Sequence, residues 1–126
     1  MMIDLTEIDE FAGAVYTSMC RYREHLHMHP ELSYEEYETA AFVKATLKEI
    51  GIPDVRAIGV TGVIVMIYGD GQDENDRCLA FRADLDALPI HEENEVSYKS
   101  KKDGIMHACG HDVHTSILLG LAEVLF

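Results

Sequence analysis

From Leu5 to Ile50 the apolar residues recur every three or four positions, and beyond Gly51 that period is gone. Leu5, Ile8, Phe11, Val15, Met19, Tyr22 and Leu26 fall on one stripe, which predicts an amphipathic helix over 5–26. Pro30 closes it, because a proline biases the residue before it away from helical geometry. In "SYEE", residues 33–36, Ser33 reads as an N-cap and Glu36 as its reciprocal partner in a capping box. The second helix then runs to Ile50 with Ala40, Val43, Leu47 and Ile50 on one face, and Gly51 supplies the left-handed residue that ends it. Downstream, "VIVMIY" (63–68) and "CLAF" (78–81) are short apolar runs without alternation, expected to be strands covered on both faces. The acidic turn "GDGQDENDR" separates them. An irregular stretch over 82–104 leads to a helix expected from His114, apolar on almost every side with Glu123 its one charge. Helices, then strands, then a loop feeding a buried helix predict an α/β domain with a mixed or parallel sheet flanked by helices.

With 126 residues the chain is long enough to bury a core as one domain. Its net charge of −13 argues against nucleic acid, whose phosphates need a basic face, and is compatible with cations. No run reaches the roughly 18 apolar residues of a membrane span. The N-terminus lacks the basic and apolar regions of a secretion signal. Three cysteines without a spaced framework suit a reducing compartment, so the expected location is cytoplasmic.

The chemistry gathers in "GIMHACGHDVHTS", residues 104–116. Cys109 and His111 are two apart at the start of a helix, and an extended C-x-H pair aims both side chains the same way. Thiolate and imidazole together suit a borderline-soft dication. Asp112 could orient a ligand imidazole from behind. Two other readings stay open on spacing alone: a cysteine nucleophile, which needs a base and an orienting group, and a polar loop with no special role. A closed structural zinc site is excluded by ligand count, since it takes four. In "FRADLDALP" (81–89), Asp84 and Asp86 follow an expected strand, where they could orient around a cation or merely cap a turn. His25 and His29 share a helical face and His27 lies off it; a structural role is the simpler reading of all three. Cys20 and Cys78 read as small core hydrophobes.

Taken in order, "HLHMHPELSYEEYET", "GVTGVIVMIYG", "FRADLDALP" and "GIMHACGHDVHTSILLGLAEVL" resemble the metal-dependent amidohydrolases and peptidases that include hippurate hydrolase, N-acyl-amino-acid amidohydrolases and auxin-conjugate hydrolases. The resemblance implies a zinc-peptidase-like catalytic domain interrupted by a smaller lid or dimerisation domain. It implies two divalent metal ions (zinc, manganese, cobalt or nickel) and hydrolysis of the amide bond of an N-acyl amino acid or small peptide. Carried over by position, Cys109 and His111 match metal ligands, and Asp86 matches the aspartate that orients a ligand histidine. Asp84 stands where distant relatives have a histidine ligand, and His114 is a supporting residue. The general-base glutamate and remaining ligands of that family fall beyond Phe126. The resemblance therefore implies that residues 1–126 are an N-terminal portion of the catalytic domain, with a partial metal site, no lid, and little or no activity alone. A degenerate metal-binding or subunit-interaction module is the alternative. The apolar last helix, with Ile117, Leu118, Leu121, Val124, Leu125 and Phe126 pointing several ways, predicts self-association.

Overall fold

The computed structural model describes residues 4–71 and 77–126. Helix α1 spans Leu5–Met28, α2 spans Tyr37–Ile50, strands β1 and β2 span Val55–Ile58 and Gly62–Val65, and α3 spans His111–Leu125. The class is α/β as expected, although among the described residues the sheet is only the antiparallel β1–β2 hairpin. Asp4 caps α1 in a full capping box with Glu7. His29 closes α1 just before Pro30.

The entry to α2 differs from the expected one. Ser33 does not cap it; the helix begins at Tyr37 and its N-cap residue Glu36 makes no side-chain capping bond. The orphan amides are met from further back: Glu38 N and Thr39 N donate to the Glu31 carboxylate at 3.2 and 2.7 Å. Glu36 instead accepts from the Thr61 hydroxyl at 2.6 Å, which ties α2 to the hairpin turn. The cause is Tyr34, whose positive φ of 67° turns the chain between Ser33 and the helix. At the other end Gly51, at φ 105°, is the left-handed terminator that the sequence predicts.

The strand expectations hold only in part. β2 takes Gly62–Val65, short of the expected 63–68, and "CLAF" forms no strand. Leu79 and Phe81 are exposed, as is Cys78, which is not the core residue anticipated. Strand propensity is realised only where a neighbour offers a ladder, and β1 pairs with just four residues, Val55 opposite Val65 through Ile58 opposite Gly62. Of the acidic turn, residues 72–76 lie outside the described residues.

The core is small and central. Val43 and Leu47 of α2, Ile52 behind it, and Leu119 and Ala122 of α3 are buried together, with Tyr22, Phe42, Val55 and Val63 packed around them. α1 and α3 approach closely at Gly120, where a Cβ would lie 2.5 Å from Met19 Sδ. The N-terminal half of the α1 stripe finds no partner: Leu5, Ile8 and Phe11 are exposed.

Candidate metal centre

Three segments distant in sequence meet at the start of α3. The stretch through Asp84 and Asp86 runs between two others as a backbone rail. Ala87 N donates to Glu31 O at 2.8 Å, and Leu88 exchanges amide bonds of 3.0 and 3.1 Å with Met106. The Thr115 hydroxyl of α3 donates to Asp84 O at 2.9 Å. These bonds hold the two aspartates beside the first turn of α3.

His111 is the first residue of that helix, which begins three residues before the expected His114, behind a left-handed Gly110 at φ 86°. Its Nδ1 lies 2.9 Å from Asp86 Oδ1 and 3.0 Å from Asp86 O. Oxygens of a carboxylate and a carbonyl only accept, so Nδ1 carries a proton, and Nε2 is the nitrogen that makes no hydrogen bond to Asp86. Asp84 Oδ2 stands 3.9 Å from Nε2. The Arg82 side chain bonds Asp84 at 2.7 and 3.1 Å and, foremost among several charges, holds its carboxyl below the usual range. Cys109 is exposed, and its Sγ lies 3.9 Å from the same Asp86 carbonyl that meets His111. One backbone oxygen thus gathers both members of the C-x-H pair. His114 is a neighbour, its ring centroid 5.9 Å from that of His111.

The donor chemistry suits a borderline-soft dication: an accessible thiol and an imidazole Nε2 set by an aspartate on its other nitrogen. Two such donors do not complete a site. Among the described residues no group of three or more His, Cys, Asp or Glu side chains is disposed to hold a metal ion.

Behind the pair lies a set of charges that the sequence reading passed over. His27, buried, has Nδ1 2.7 Å from Asp112 Oδ2 and Nε2 2.9 Å from Glu92 Oε1. Arg23 Nε donates to the same Asp112 oxygen at 3.0 Å. Burial pushes the Glu92 carboxyl up, but bonds from Ser100 N, His27 and Asn94 outweigh it and bring the pKa down to about 2. The signal was present: Arg23 and His27 are four apart on α1, so they share a flank beside the buried Leu26. His107 is also buried, with neither ring nitrogen bonded; burial above all pulls its pKa below the ordinary value. His25 and His29, by contrast, lie beside a cleft of about 260 Å³, their ring centroids 4.5 Å apart and their planes tilted by 32°.

Residues 80–126, which contain all of this constellation but the α1 side chains, match the Peptidase family M20/M25/M40. Over nearly its full length the chain is 45% identical to an N-acyl-L-amino acid amidohydrolase of Geobacillus stearothermophilus, covering 94% of this chain and 31% of that protein. It is 52% identical over 103 residues to the N-acetyl-L-cysteine deacetylase of Bacillus subtilis, 82% of this chain and 24% of the other. In structure it matches the YXEP protein of Bacillus subtilis, described as a dinuclear metal binding peptidase of the M20 family. The TM-score is 0.82 at 43% identity, over 90% of this chain and 31% of that one. The likeness throughout is to the M20 peptidases. The chain spans between about a quarter and a third of the length of these relatives.

Proposed function

We propose that this chain is the N-terminal portion of the metal-binding catalytic domain of an M20 amidohydrolase, and that the complete enzyme cleaves the amide bond of N-acyl amino acids or small peptides. The observation that carries the reading is the setting of His111: its Nδ1 donates to Asp86, whose carbonyl oxygen also lies 3.9 Å from Cys109 Sγ. Cys109 and His111 would hold a divalent metal ion, whether zinc, manganese, cobalt or nickel. When bound, such a metal polarises the scissile carbonyl and makes water acidic enough to attack. Asp86 does not touch the reacting atoms in this scheme; it fixes the tautomer and direction of His111. The N-acyl substrate class is supported by the names of the Geobacillus and Bacillus relatives. No helix among the described residues is long and apolar enough to cross a membrane, and free thiols at Cys20, Cys78 and Cys109 fit a cytoplasmic setting. A second reading, a metal-binding or subunit-interaction module without catalysis, draws on the same two-donor count and on the exposed apolar residues of α1 and α3.

Cobalt(II) titration of the 126-residue chain tests the ligand assignment through the thiolate-to-metal absorption band. The expected result is weak binding that disappears in Cys109→Ser and in His111→Ala. Tight binding unchanged by both substitutions would overturn it. The chain alone is expected not to hydrolyse N-acetyl or N-benzoyl amino acids with added zinc, cobalt or manganese. Turnover abolished by Cys109→Ala would mean that a complete site assembles from these residues.

A further inference from the structure

We infer that Asp112 is a positioning residue for His111, and that its hold comes from a buried chain of charges running Arg23–Asp112–His27–Glu92. Both His27 nitrogens face carboxylate oxygens, at 2.7 and 2.9 Å, and a carboxylate only accepts. Both therefore donate, and the ring is doubly protonated. Two cations and two anions form a closed, neutral set, with side-chain exposure of 5% for His27, 1% for Asp112 and 2% for Glu92. Arg23 is the one member that reaches solvent, and its guanidinium also lies 4.4 Å over the Tyr98 ring. At the far end Glu92 Oε2 accepts from Ser100 N at 2.6 Å, so the loop that carries Glu92 is fastened to itself before it meets His27.

The consequence for the site follows from position. Asp112 is the second residue of α3 and His111 the first. The N-cap, Gly110, offers no side chain to cap the first turn, which Thr115 anchors to Asp84 O on one side only. The Asp112 carboxylate fixes it from behind, by charge-assisted bonds to α1. With that turn held, His111 presents Nδ1 to Asp86 and leaves Nε2 turned away from that bond. Removing charge anywhere along the chain frees the turn and lets His111 leave Asp86.

This inference rests on the reading of His111 as a ligand, and the test separates the two. Long-range proton–nitrogen-15 spectra of the whole chain report the His111 tautomer without metal; cobalt titration reports its use as a ligand. In the wild-type chain the Nδ1–H form is expected alone. Glu92→Gln and Asp112→Asn are expected to give mixed tautomers and at least a fivefold loss of cobalt affinity. Leu47→Ala, a core truncation, should lower the melting temperature but leave the tautomer as it was. Should Asp112→Asn fail to fold, Arg23→Gln at the solvent end carries the same expectation. Folded variants with an unchanged His111 tautomer would overturn the inference. A tautomer that shifts while cobalt binding ignores both Cys109→Ser and His111→Ala would leave the positioning intact and remove the ligand reading.

Discussion

Glu92 shows how much of the molecule's behaviour can sit on one side chain. It is 3% exposed, and its carboxylate takes bonds from His27, Asn94 and the Ser100 amide. Its folded pKa of about 2 lies below the ordinary 4.5. A depressed acid pKa means that the unfolded chain takes up protons first, so the stabilisation is complete above about 4.5 and is lost as pH falls towards about 2. Urea midpoints measured across that window should fall steeply for the native chain and much less for Glu92→Gln, which is already weakened at neutral pH. Parallel curves would mean that Glu92 is not ionised in the fold. Removing the cation between the two carboxylates should be worse. His27→Ala leaves Glu92 and Asp112 buried without their shared donor, and breaking a buried pair in that way typically costs roughly 3–5 kcal/mol. Equilibrium denaturation should show that loss at neutral pH.

At the scale of elements, α1 and α3 set their distance by one glycine. With Met19 Sδ and Cγ 2.5 and 2.6 Å from where a Cβ would stand, Gly120→Ala forces the methionine aside. The expected cost is about 1–3 kcal/mol, the usual range for overpacking. Met19→Ala in the same chain should recover part of it, and a double-mutant cycle that finds the two additive would refute the contact. Elements defined by their own residues were legible in the sequence. The stripes of α1 and α2, the stop at Pro30 and the left-handed Gly51 all follow from local period and backbone chemistry. Elements that depend on a partner were not. β1 carries Arg56 and is short, and it exists because Gly62–Val65 folds back on it. The α2 cap was assigned to Ser33, the nearest hydroxyl, whereas Glu31 reaches the amides across the Tyr34 turn. At the site, Cys109 and His111 stand out by spacing and Asp86 only through the family resemblance, and the structure brings all three together around the Asp86 carbonyl. The His27–Glu92 pair does not, because its members are 65 residues apart and Glu92 belongs to no motif.

For the whole molecule the balance of surfaces is unusual. Leu5, Ile8, Phe11, Leu79, Phe81, Ile117, Leu125 and Phe126 are all exposed large apolar residues. Each such side chain gains roughly 1.5–3 kcal/mol on full burial, so we propose that a second molecule covers part of this surface. The net charge of −13 opposes association, but over a range that salt shortens. Light scattering is therefore expected to show oligomers that grow as salt rises, with near-UV circular dichroism marking how firmly the aromatic residues pack. A compact monomer at high concentration and physiological salt would count against this.

The charge chain behind the candidate centre joins Arg23 to Asp112 across 89 positions and His27 to Glu92 across 65. Loops of that span close late, because the entropy of bringing their ends together has to be offset by contacts already made. The two amphipathic helices can form while α3 is still unstructured; the candidate pair Cys109 and His111 cannot acquire its geometry until α3 docks. During synthesis, His27 leaves the ribosome long before either carboxylate that it will bridge. The order of assembly thus runs from scaffold to site, and the pair at Cys109 and His111 is the last part of the chain to become competent.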